Sequence, residues 1–93
     1  MKNKKRVITF LKLIKSNIND IEISEEKKNN EIFKSIELLI AKLKIEEFVN
    51  FTANIIYYNA KEIVYNANNN IYNEYEKYLY ETLNIIDECI ITI

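Results

Sequence analysis

An all-α fold, a small antiparallel bundle of three to four helices, is what this sequence predicts, on three observations. Apolar residues recur every three or four positions along most of the chain, the period of a helix with one buried face. Glycine and proline are absent, although average proteins carry roughly 7% and 5% of them. The single stretch that alternates apolar and polar residues, at Ile21 and Ile23, is short and sits among turn formers. With 93 residues, 48% of them hydrophobic, residues 1–93 make one helical domain, large enough to bury roughly 60–70% of its unfolded surface.

The elements follow in chain order. Val7, Phe10, Leu11, Ile14 and Ile18 share one helical stripe from which Lys5, Lys12 and Lys15 are largely excluded, so the first helix spans about residues 3–17. Residues 17–24, with Asn17, Asn19 and Asp20, read as a connector in which Ser24 caps a short turn. Asn29 or Asn30 then caps a second helix, with Glu31 favourable near its positive end. Ile32, Phe33, Ile36, Leu39, Ile40 and Leu43 form the apolar face of that helix. Its stripe would next bury Glu46 and Glu47, so a break falls within residues 44–50. The third helix carries Phe48, Thr52, Ile55, Ile56, Ile63 and Val64. The fourth carries Ile71, Tyr75, Tyr78, Leu79, Leu83, Ile86 and Ile90.

Between the last two helices lie Asn68, Asn69 and Asn70. In a chain without glycine, asparagine is best suited to the left-handed backbone that ends a helix, and three in a row weaken a helix by about 0.6 kcal/mol each. Both arguments predict a turn, one in which Asn69 tolerates glycine. Against them stands a repeat of period seven, Tyr58-Asn59-Ala60, Tyr65-Asn66-Ala67 and Tyr72-Asn73-Glu74. The same register runs through Phe51, Tyr58, Tyr65, Tyr72, Leu79, Ile86 and Ile93. An unbroken heptad is how a coiled coil reads. The alternative is therefore a long-helix homodimer, with a rod of roughly 68 Å from Ile45 to Cys89 at about 1.5 Å per residue.

The exclusions concern chemistry. Without histidine there is no Ser-His-Asp or Cys-His pair, no usual zinc ligand set and no Glu-x-x-His di-iron motif. Lacking glycine, the chain has no phosphate-binding loop and no dinucleotide fingerprint. Glu22 and Glu25 form one Glu-x-x-Glu, but no second acidic motif at suitable helical spacing accompanies it. The reading is not an enzyme, with no catalytic residue, cofactor or metal. Cys89, the single cysteine, cannot form an internal disulfide and reads as a small core residue. The basic, apolar N-terminus is interrupted by Lys12 and Lys15 and lacks a signal-peptide cleavage site. No window reaches the roughly 20 apolar residues of a membrane span, and a cytoplasmic location is the simplest expectation. The 18 Ile, 14 Asn and 12 Lys against 1 Arg and 4 Ala favour AT-rich codons, so the asparagine richness reads mainly as low-GC coding.

Two residue sets could bind a partner. Lys2, Lys4, Lys5, Arg6, Lys12 and Lys15, with no acid among the first nineteen residues, could meet nucleic-acid phosphates or an acidic protein surface. Tyr57, Tyr58, Tyr65, Tyr72 and Tyr80 belong to a set of 7 tyrosines, more than one core face absorbs, and tyrosine is a favoured interface residue. Charge is uneven. Residues 1–44 hold 11 basic and 6 acidic side chains, residues 45–93 hold 2 and 8, and the halves could complement each other within one molecule. In size, helical patterning and Lys-, Ile- and Asn-rich style the chain is similar to phage-encoded inhibitors of host defence, including anti-CRISPR proteins, and to the cytosolic immunity proteins of bacteriocin producers. That similarity implies a non-enzymatic inhibitor or regulator occupying a surface of a larger protein or ribonucleoprotein complex. The alternatives are a bacteriocin-immunity-type bundle and a small nucleic-acid-binding regulator that uses the basic N-terminal helix.

Overall fold

Asn3 sets the start of the first helix: its side chain accepts a hydrogen bond from the backbone N–H of Arg6 at 3.0 Å, satisfying one of the donors that a helix start leaves open. The computed structural model describes residues 3–93, so Lys2 of the basic cluster lies outside the described residues. Four helices follow: α1 Lys4–Asn19, α2 Glu26–Ile45, α3 Asn50–Asn68 and α4 Tyr72–Thr92. Each packs on the next, and α1 closes the ring against α4. The described residues contain no strand. Short connectors reverse the chain three times, giving an up-down-up-down bundle of 39 × 21 × 18 Å. A 68 Å rod cannot fit these dimensions, and the long-helix alternative is overturned at the asparagine turn itself.

Two of the three reversals use the same device without glycine. After α3, Asn70 adopts φ 60, and the N–H of Ile71 reaches back to the Asn66 carbonyl at 2.9 Å. After α2, Glu47 adopts φ 61, and the N–H of Phe48 reaches the Leu43 carbonyl at 3.1 Å. Both are Schellman endings, in which one left-handed residue lets the next N–H satisfy an orphan carbonyl. The left-handed residue is Asn70, the last of the three asparagines of the predicted turn. Asn69 has φ −103, and its side chain donates to the Tyr65 carbonyl at 2.8 Å.

The second helix corrects the sequence reading most. It begins at Glu26, a turn before the expected caps, and Glu25 makes no side-chain capping bond. Asn29 lies inside the helix and is fully buried. Its amide accepts from the Glu22 N–H at 3.0 Å, donates to the Glu22 carbonyl at 2.7 Å and donates to Asn68 at 2.8 Å. Asn68 in turn donates to Asn30 at 3.1 Å. Ser24 also leaves its expected capping role. It has φ 66, its N–H donates to the Ala67 carbonyl at 3.0 Å and its hydroxyl donates to Asn70. Asparagines therefore clasp the first and third connectors at one end of the bundle.

The core runs the length of the molecule. α1 contributes Val7, Leu11, Ile14 and Ile18, α2 contributes Ile36, Leu39, Ile40 and Leu43, and α3 contributes Ala53, Ile56, Ala60, Ile63, Val64 and Ala67. Phe48, expected in the third helix, instead plugs the core from the connector before it. α4 has the cleanest helical pattern in the sequence, yet only Thr82 and Ile86 are fully buried. Its larger side chains, Tyr75, Tyr78, Leu79, Leu83 and Ile90, cover the core while half-buried. The alanines facing inward from α3 are what let that helix sit close to its neighbours.

Candidate protein-binding surfaces

The Tyr-Asn-Ala repeat is a geometric device of α3. Tyrosine points outward, asparagine lies buried at the flank, and alanine, one residue on, faces the core. Ala53, Ala60 and Ala67 are 0% exposed, whereas Phe51, Tyr58 and Tyr65 are 74%, 51% and 59% exposed. Asn54 and Lys61 fill the same outer ridge, three residues after each of the first two aromatics. The heptad register read from the sequence stays outside as far as Tyr72 and turns inward along α4. Phe51, Tyr58 and Tyr65 are outside, while Ile86 is inside and Leu79 and Ile93 pack against the core.

Between α3 and α4 the surface is partly polar. Asn66 is buried and donates to the Glu62 carbonyl at 2.7 Å. Asn59 is equally buried, but its amide nitrogen has no hydrogen-bond partner. Tyr78 faces Tyr58. Burial, with Tyr58, Glu62 and Glu74 nearby, pushes its phenol above the ordinary value.

The remaining tyrosines fall on other sides. Tyr57 lies in the α2–α3 groove, where its hydroxyl donates to Glu37 at 3.3 Å, its ring stands 5.6 Å from that of Phe33, and the Lys61 ammonium lies 5.6 Å from its centroid. Tyr72 and Tyr80, each 58% exposed, flank Glu76 at one-turn intervals on α4, on the side that meets α1. The hydrogen bond to Glu76 raises the Tyr72 phenol. Tyr75 is the structural member of the set: its hydroxyl donates to the Ile21 carbonyl at 2.9 Å, tying α4 to the first connector.

The basic set is similarly divided. Arg6 donates to Glu46 at 2.6 Å, and Glu46 is itself buried. Lys15 pairs with Asp87 on α4 at 2.7 Å. Both pairs join the basic half of the chain to the acidic half. Lys4, Lys5 and Lys12 are exposed and make no ion pair among the described residues.

Sequence reasoning passed over Phe51 and the exposed aliphatics Leu13, Leu38, Ile45, Val49 and Ile91. A signal for some of them was present. Phe51 shares the tyrosine register, and three adjacent apolar residues, Leu38, Leu39 and Ile40, cannot all face one side of a helix. Among the described residues, no group of three or more His, Cys, Asp or Glu side chains is placed to hold a metal ion, and no helix is long and apolar enough to cross a membrane. Compared with known proteins, the chain matches no protein-family model, no curated protein and no solved structure.

Proposed function

We propose that this protein is a non-enzymatic binding module, of the phage- or mobile-element type, that inhibits or regulates a larger protein or ribonucleoprotein complex by occupying its surface. The outer ridge of α3 carries this reading. A Phe or Tyr side chain offers roughly 150–250 Å² of contact, so three at seven-residue intervals supply the aromatic centre of an interface of about 800 Å² per partner. They cost little ordering entropy, because each rotates about few bonds and sits on a rigid helix. The core does not depend on them. The test is capture from a lysate of the source cells, comparing the protein with a Phe51→Ser, Tyr58→Ser, Tyr65→Ser variant of equal thermal stability. A partner held by the first and lost by the second is expected. Identical capture by both, or no captured protein, contradicts the proposal.

The exposed Lys4, Lys5 and Lys12 favour a second reading, direct nucleic-acid contact through α1. Phosphate contacts by three lysines give log K a slope of roughly −3 against log salt. Binding to labelled DNA or RNA that ignores salt would dismiss it. A bacteriocin-immunity-type bundle is the other alternative, favoured if a bacteriocin precursor and a transporter gene adjoin the coding sequence.

A further inference from the structure

Helices α1 and α2 lie side by side in a register fixed by three pairs. Arg6 meets Glu46 at 2.6 Å, the Lys42 ammonium lies 5.8 Å from the Phe10 ring centroid, and Asn17 donates to Ser35 at 3.1 Å. Between the last two pairs, that register brings Leu13 and Leu38 to the same level. Both are open to solvent, Leu13 at 48% and Leu38 at 61%, and Ile45 continues the row two turns further along α2 at 69%. Arg6, Phe10, Lys42, Ile45 and Glu46 surround a shallow hollow of about 230 Å³ at the end of this row.

The two helices are basic on balance. Together they carry ten basic side chains against three acidic ones. Lys34 stands one turn before Leu38 and makes no ion pair among the described residues. The Glu46 carboxylate at the end of the row is buried and bonded to Arg6, so it does not offset the lysines outside.

We infer that the α1–α2 groove binds an acidic amphipathic helix supplied by a partner protein. The aliphatic row on α2 runs parallel to the helix axis with Leu13 beside it, and Leu38 and Ile45 are about 10 Å apart. Those are the dimensions of the apolar stripe on a helix whose leucines recur every seven residues. Such a stripe places one side chain in the hollow and its flanking glutamates beside Lys34 and Lys42. A flat lipid surface would leave the hollow unfilled. The groove uses none of the α3 ridge residues, so it is a second surface independent of the proposed function.

The test uses a synthetic fluorescent peptide with leucines at first and fourth heptad positions and glutamates elsewhere, beside a counterpart with lysines in place of the glutamates. Fluorescence anisotropy is expected to show binding of the acidic peptide only, weakening as salt is raised. The amide NMR signals of Leu13, Leu38 and Ile45 should shift. Leu38→Glu with Ile45→Glu, both at exposed positions and confirmed folded by circular dichroism, should weaken binding at least about tenfold. The Tyr58→Ser, Tyr65→Ser variant should bind as the parent does. Absence of acidic-peptide binding, equal binding of both peptides, or unchanged binding by the double-Glu variant overturns the inference. So does finding that the double-Glu substitution abolishes a dimer mass or binding to phosphatidylserine vesicles instead.

Discussion

Asn29 and Asn59 are both buried amides within helices, and they should behave in opposite ways. Asn29 bonds both backbone groups of Glu22 and reaches Asn68, so Asn29→Ala leaves several partly buried groups unpaired. A loss of about 2–3 kcal/mol in denaturant unfolding is expected. Asn59 already holds an amide nitrogen without a partner. Its replacement by alanine removes that orphan and adds helix propensity, so stability should stay level or rise by up to about 1 kcal/mol. Equal losses in the two variants would contradict this assignment. Neither role was legible beforehand: the abundance of asparagine does not say which asparagines the connectors of the fold recruit.

Helix ends were legible where local chemistry decided them. The turn at the asparagine run could be read because asparagine substitutes for a missing glycine, and the structure puts the left-handed residue at Asn70. Asn70→Gly should lower stability by no more than about 1 kcal/mol, since relief of the left-handed backbone is offset by a freer unfolded chain and by loss of the exposed Ser24 hydrogen bond. Asn70→Val should lower it by about 1–2 kcal/mol, because a β-branched residue resists positive φ. Thermal melts of the two variants check the contrast, and equal tolerance would contradict the Schellman ending. The ending at Glu47 could not be located in this way, because glutamate carries no left-handed preference. The start of α2 was misplaced for a related reason. Asn29 has the chemistry of a cap, and only tertiary packing turns it toward Glu22. The α3 ridge was half-legible, since the heptad was visible while its inward turn along α4, beyond Tyr72, was not.

At the scale of the whole molecule, the uneven charge of the chain is partly resolved internally by the Arg6–Glu46 and Lys15–Asp87 pairs, leaving α1 and α2 basic. Both pairs are partly exposed and modest in strength. Stability at high pH rests on other groups. Burial raises the Cys89 thiol above its ordinary 9.0 and the Tyr75 phenol above its ordinary 10.0. The unfolded chain releases these protons first. Their contribution is therefore complete below about pH 9 and is lost as pH climbs through the raised values. Melting temperatures between pH 7 and 11 should fall along that upper range, less steeply in Tyr75→Phe. A profile identical to the parent's in that variant would remove Tyr75 from the explanation.

On the proposed function, the bundle works by presenting the α3 ridge to another protein. A photo-crosslinking phenylalanine analogue placed at Tyr58, at Tyr65 or at the exposed Glu81 of α4, and irradiated in the source cells, tests it most directly. A discrete higher-mass adduct is expected from positions 58 and 65 and none from position 81. Adducts from position 81 alone, or from none of the three, would contradict it.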